Sequence, residues 1–423
     1  MVVTPLMWKS MDLLTNTYEL IWKNPLEWDV TSKKLIVNPP STKLIPWLMV
    51  VIWYLVSINI LSILLLLFQL FGFIHIPLTN LLVLFMVFAL FAFVIYLEGI
   101  FYLYGDSTAA ILNKFAVLEK KLNKASQLQK SNMRDVIGLI LNLVSPLAGL
   151  FAIFYYFIGC LLLQLDPYSQ AEYLLEENGF ILSIPIKFLF FFLRYTQCLL
   201  FLQAARTISL LICVPTMATY LGLACVSAMD SSAVYFFRRE NMILSSYLRN
   251  YEICLIHLGI GHNFVSPAVS GTMFFGLVLS VLFNFASLKL YSRIPMTLFP
   301  LIPAVAAFIL VIIDVMLPML IDVFKNSKSL QAKWRNILGL IEDKKYLKRK
   351  LQSLRTPRIY AGTVVNPMLE YTVVKPIATT LIPTTPIATT QSCGNGKDSL
   401  ITTTPMLRYK MNSHNKPNVK APG

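Results

Sequence analysis

Residues Leu44 to Leu97 read LIPWLMVVIWYLVSINILSILLLLFQLFGFIHIPLTNLLVLFMVFALFAFVIYL, and the whole stretch holds no Asp, Glu, Lys or Arg. About 20 apolar residues cross a bilayer as helix, so this run holds two crossings. His75, Ile76 and Pro77 mark the turn between them. Working outward, further uncharged apolar runs put spans at 46–74, 78–104, 136–164, 207–229, 267–288 and 294–324. The expected fold is therefore all-α, a polytopic transmembrane helix bundle over 44–324 with six clear spans. A polar segment, 1–43, precedes it, without the apolar core and small-residue cleavage site of a secretory signal, so the first span is expected to direct insertion.

Composition agrees. The chain is 56% apolar and 13% charged, against about 45–50% and about 25% in soluble domains. Its six cysteines are scattered, several inside apolar runs, and read as small buried hydrophobes rather than a disulfide framework.

Orientation follows from the basic residues, which favour cytosolic loops. With six spans, one side receives the N-terminus, 105–135, 230–266 and 325–358, together holding 25 Lys and Arg; the other side receives 4. The N-terminus is thus expected in the cytosol. Phe180 to Ala205 is rich in Phe and Leu but carries Lys187 and Arg194, with Arg206 just beyond. Counted as an independent span it would turn the basic segment 325–358 outward. It is expected instead to complete an outer loop, 165–205, and to extend the fourth span. Asp166, Glu172, Glu176 and Glu177 make the start of that loop acidic.

The net charge of +15 follows the span-flanking loops, which argues for a membrane and against nucleic acid as partner. Within 325–362, Leu330, Trp334, Ile337, Leu338 and Ile341 recur at helical spacing, giving a basic cytosolic helix suited to the inner leaflet or to other subunits. From 363 to 423 the chain is Thr/Pro-rich, with Pro-Ile-Ala-Thr-Thr at Pro376–Thr380 and again at Pro386–Thr390. Seven prolines between Pro367 and Pro422 forbid a continuous helix, and this low-complexity tail reads as disordered.

No catalytic set assembles, so an enzyme is not expected, nor a cofactor or metal. His75, His257, His262 and His414 are dispersed, and His257 and His262, five apart, are off the i, i+4 spacing that aligns two ligands on a helix. Gly394-Asn395-Gly396-Lys397 lacks the leading Gly and following Ser/Thr of a phosphate loop.

Charges inside spans are costly and tend to face a bundle interior. Glu98 lies about two turns from its cytosolic end and is expected to snorkel out. Asp314, between Pro303 and Pro318, is a candidate for a functional or interhelical role. Lys187 and Arg194, seven apart, share a helical face; they are candidates for an acidic ligand or partners for Glu176 and Glu177. Lys187, Arg194 and Asp314 are the candidate ligand-binding residues. The clusters Phe154-Tyr155-Tyr156-Phe157 and Phe188 to Phe192 suit either an apolar pocket or lipid contact.

This pattern resembles the arthropod gustatory and odorant receptor superfamily in a cytosolic N-terminus, a long outer loop before the fourth span and a basic inner helix after the sixth. The most specific match is Lys350-Leu351-Gln352-Ser353-Leu354-Arg355-Thr356-Pro357-Arg358-Ile359-Tyr360-Ala361-Gly362, similar to the segment before the last span of springtail-type members. The resemblance implies a cell-membrane chemosensory receptor, a ligand-gated cation channel subunit for a small organic ligand, in a homo- or hetero-oligomer, tetrameric by resemblance. It also implies a pore-lining seventh span directly afterwards, with a Tyr and a Gln-Phe pair, where this chain turns Thr/Pro-rich. A multi-pass transporter and a non-conducting truncated or accessory subunit stay open beside the channel. A G-protein-coupled receptor needs the opposite orientation, and no inverted repeat supports the transporter.

Overall fold

The computed structural model describes residues 4–126, 135–236, 241–289, 299–339 and 345–353, with side chains throughout except at 53–54, 123–126, 231–247, 260–263, 301, 311–312, 314–320, 338–339, 345 and 347. Within these it is mostly helical, and five stretches are long and apolar enough to cross a membrane: Thr42–Leu70, Leu78–Leu122, Val136–Glu177, Ile184–Asp230 and Phe264–Lys289. The sixth expected span begins in residues outside that description. The low-complexity tail, with its repeat and its Gly394–Lys397 segment, lies outside it too.

The polar N-terminus folds against the bundle. Helix α1 (Pro5–Thr17) starts at Thr4, whose hydroxyl accepts from the Met7 N–H. Met7, Ser10, Met11 and Leu14 recur at helical spacing and form its buried face, packed on α5 (Val136–Tyr155). A two-stranded antiparallel hairpin follows, β1 (Leu26–Asp29) and β2 (Lys34–Val37), in register Leu26↔Val37 to Asp29↔Lys34. This hairpin is a small departure from an all-helical fold. In its turn, Thr31 and Ser32 donate to the Asp29 carboxylate and hold its pKa down at about 2. The free edge of β2 is closed by a side chain: Asn113 accepts from the Leu35 N–H at 2.9 Å and donates to its carbonyl at 2.8 Å.

The first crossing stretch runs through a short helix α2 (Ile45–Met49) and a π-helical turn into α3 (Val56–Leu70). A turn containing His75, Ile76 and Pro77 leads to α4 (Leu78–Ser126), as expected. Helix α5 ends in a second π-helical segment, Tyr156–Leu162, and short α6 (Pro167–Glu177) leads to α7 (Ile184–Phe236). Helices α8 (Asn241–Lys289), α9 (Leu301–Gly339) and α10 (Lys345–Ser353) complete the described chain. At about 1.5 Å per residue, α4 with its 49 residues and α7 with its 53 far exceed the roughly 30 Å hydrocarbon layer.

Helices α4 and α7 run parallel in a constant register. Glu98 meets Gln203 and Thr207, 105 and 109 residues further on, and Phe115 meets Cys225, 110 further on. The uncharged part of α4, Leu78 to Leu97, therefore lies beside the first half of α7. The expected extension of the fourth span is present and long: residues 184–205 form the helical start of α7, continuous with 207–229, and only 178–183 remain as the connection from α6. The segment 207–229 lies beside the charged second half of α4. The most apolar window of α7 is 78% buried within the protein, against 28–44% in the other four stretches. The exposed apolar surface sits earlier, at Ile184, Phe188, Leu189, Phe191, Phe192 and Tyr195. The apolar composition of 207–229 reflects burial by neighbouring helices, whereas 184–205 keeps an exposed apolar face.

Helix α8 packs antiparallel to α4, through Phe115 on His257, Phe101 on Phe264 and Phe93 on Phe275. The Tyr96 hydroxyl donates to the Pro267 carbonyl at 2.8 Å, and only a glycine at 271 leaves room for that ring. In the basic segment, Leu330 and Trp334 are fully buried, with Trp334 edge-on to Tyr251 of α8. Its apolar stripe thus packs within the chain.

Candidate functional site

Two polar clusters interrupt the apolar packing, one at the α6 end of the bundle and one where the N-terminal hairpin meets the helices. The first is built around α6. Asp166 caps that helix, accepting from the Ser169 N–H at 3.0 Å and from the Ser169 hydroxyl. It is buried, and its charge faces Arg194 Nε at 3.8 Å while Arg194 also donates to Glu172. Lys187 pairs with Glu176 at 2.7 Å in the open, with a 51% exposed side chain. The Tyr168 and Ser57 hydroxyls lie 3.2 Å apart, and Asn80 donates to Gln170 at 3.2 Å. Helix α6 is thus strapped to α3, α4 and α7 as a cover.

Beneath this cover lies a crevice lined by Ile58, Val87, Phe91, Tyr155, Cys160, Asp166, Pro167, Gln197 and Phe201, too narrow to hold a water molecule. Phe201 packs against both Phe91 and Tyr155, with ring centroids 5.2 and 5.0 Å away. Gln197 stands one turn from Arg194 on α7. Its side chain is 1% exposed, and neither its amide oxygen nor its nitrogen has a hydrogen-bond partner. A buried amide without partners is costly, and such groups in native folds ask for a reason.

The second cluster centres on Glu98. Contrary to the expectation that it snorkels out, this carboxylate is 1% exposed. It accepts from Trp47 Nε1 at 3.1 Å, from Gln203 Nε2 at 2.6 Å and from the Thr207 hydroxyl. Gln203 also donates to the Asn24 side-chain oxygen at 3.1 Å. Arg206 reaches the Trp22 carbonyl at 2.7 Å and Glu27 at 3.1 Å, and Asn38 donates to Glu27 at 2.9 Å. The network joins the N-terminal hairpin to α2, α4 and α7. Nearby, the Tyr18 hydroxyl donates to the Ser145 carbonyl at 3.2 Å, and burial pushes its pKa up to about 12.

Of the three residues singled out in the sequence, two face the same short helix. Lys187 and Arg194 bind acidic side chains of α6, Glu176 for the first and Glu172 with Asp166 for the second. Asp314 is carried on α9, with its side chain outside the described residues. The aromatic clusters split: Tyr155 lines the crevice and Tyr156 is buried, whereas Phe154, Phe157, Phe188 and Phe192 face outward. Gln197, Gln203 and Arg206 went unnoticed as a group; their signal was three polar residues at short spacing in a Phe/Leu-rich run. Among the described residues no group of His, Cys, Asp and Glu is arranged to hold a metal ion. His257 donates from Nδ1 to the Ile253 carbonyl, 2.5 Å away, within its own helix. Comparison with protein-family models, with curated proteins and with solved structures returned no match.

Proposed function

We propose that this chain is a chemosensory receptor subunit of the gustatory and odorant type, lodged in the cell membrane with its N-terminus in the cytosol and assembled as an oligomer. It takes a small organic ligand in the crevice beneath α6. Six crossings are contributed by the five stretches above and by α9. One observation carries the reading: an apolar crevice with an unsatisfied amide, lined by two helices that run on far past any bilayer. Val87 and Phe91 belong to α4, and Gln197 and Phe201 to α7; both helices continue unbroken for more than 30 residues beyond the crevice. An occupant that spreads the crevice acts on the levers that reach the cytosolic side, and it shifts the equilibrium only by binding one arrangement better than the other.

The charge distribution supports the orientation, because 25 of the loop Lys and Arg fall on the N-terminal side. The Thr/Pro-rich sequence after Gly362 favours a second reading, a non-conducting subunit that binds ligand and lends its response to a partner bearing the pore. A ligand screen in cells expressing the chain alone, and together with a seventh-span-containing receptor, tests both. Responses only in the co-expressing cells support the accessory reading. No response in either, with surface expression verified, counts against chemoreception.

A further inference from the structure

Resting on the reading of the crevice as a ligand site, we propose that Gln197 is its recognition group and that the ligand is an uncharged, mostly apolar molecule bearing one hydroxyl or amide. The argument starts from what Gln197 lacks. Its amide offers one acceptor and two donor hydrogens, all unpartnered and shut off from solvent. The closed crevice leaves no space for a water molecule beside them, so a partner reaches them only when an occupant spreads the lining, as in the reading above. The one other charged group lining the space, Asp166, already has partners in Ser169 and Arg194, and the remaining polar atoms there are the uncharged Tyr155 hydroxyl and Cys160 thiol. A charged ligand would therefore find no free counter-charge, since Asp166 and Arg194 face one another and Glu172 holds the guanidinium. A hydroxyl or primary amide both donates and accepts, so either can pair with the glutamine amide through its carbonyl oxygen or through one of its N–H groups. The rest of such a ligand would sit against Phe91, Tyr155 and Phe201.

A site built to hydrogen-bond its ligand rejects the analogue that lacks the group, because its own polar atoms are then left unpaired. The alcohol should therefore outcompete a hydrocarbon of equal length. The test is photolabelling of the full-length chain in lipid nanodiscs with a diazirine-bearing octanol and with its hydrocarbon counterpart, mapped by peptide mass spectrometry. The alcohol probe should label peptides carrying Phe91, Tyr155 or Phe201, saturably, and excess 1-octanol should abolish that labelling. The hydrocarbon should label the outward face around Phe188 and Phe192 without saturation. Gln197→Leu, or Gln197→Met should the first fail to express, should lower the alcohol's apparent affinity roughly tenfold, the loss of about one to two hydrogen bonds. Neither substitution should lower the thermal midpoint of the unliganded protein, since an unpartnered amide gives the fold nothing to lose. Crevice-filling Val87→Phe or Ile58→Phe should remove saturable labelling by the alcohol.

The outcomes separate the two claims. Saturable crevice labelling that survives Gln197→Leu and Gln197→Met undiminished overturns the recognition role and leaves the site standing. Saturable labelling that survives the filling variants, or that maps elsewhere in the wild type, overturns the site itself.

Discussion

Replacing Glu98 by Ala should be among the most damaging single changes in this chain, and the structure gives the size. The carboxylate is the shared acceptor for Trp47, Gln203 and Thr207, which come from three different elements. Truncation leaves the Trp47 and Gln203 donors facing a void, each at about 1–3 kcal/mol when unsatisfied, while the Thr207 hydroxyl keeps the Gln203 carbonyl at 2.8 Å. Arg206 also loses a neighbouring charge but keeps Glu27 and the Trp22 carbonyl. Some relaxation of Gln203 toward Asn24 will recover part of the loss, so a net cost of about 3–5 kcal/mol is expected, the usual range for removing one member of a buried charged cluster. Glu98→Gln keeps the shape and one acceptor oxygen but points an NH₂ at a donor, for about 1–3 kcal/mol. Thr207→Val removes one donor and leaves the carboxylate two, at about 1 kcal/mol. The assay is denaturant unfolding of the purified chain in detergent, followed by Trp fluorescence, with limited proteolysis of the first 40 residues as a second readout. The order Ala, then Gln, then Val should hold in both. A Glu98→Ala protein within about 1 kcal/mol of wild type would refute the reasoning, because it would mean that the carboxylate reaches water as a snorkelling group does.

Arg194→Ala should loosen α6 and speed proteolysis within residues 178–183, whereas Lys187→Ala, which breaks an open pair worth about 0–1 kcal/mol, should change neither proteolysis nor stability; equal effects would count against α6 as a strapped cover. Epitope tags at the N-terminus and near Ser329 should be reached by antibody only after permeabilisation, while a tag near Asn178 should label intact cells, and the reverse pattern would invert the topology. Asp314→Asn should alter ligand response or surface expression more than Lys114→Gln, a substitution of an exposed residue, and indistinguishable variants would reduce Asp314 to a tolerated charge. The unmodified chain expressed alone should give no ligand-gated current, while a chimera carrying a seventh span from a related receptor should conduct; a robust current from the homomer would show that its pore is built elsewhere.

What the sequence determined by itself was the solvent. The uncharged run from Leu44 to Leu97 leaves no option but a bilayer or a very large core, and the turn at His75 to Pro77 stands where its polarity put it. The helical character of the basic segment was equally legible, since Leu330 and Trp334 recur on one face. The pairing of Lys187 with Glu176 was also within reach, because opposite charges on adjacent segments seldom stay apart. Three matters waited for the tertiary structure. Apolar composition reports only that a residue avoids water, so it could not tell that 207–229 is covered by other helices within its crossing stretch, nor that the extension of that span begins as early as Ile184, where its two cations have acidic partners on α6. Glu98 looked like a surface charge because its depth was counted along its own helix, whereas burial is set by what packs alongside, here the N-terminal hairpin, Trp47 and α7. Gln197 is one glutamine among several in the sequence, and nothing local marks it. Its significance lies in missing partners, and a missing partner is a property of the space around a side chain, which exists only once distant segments have closed over it.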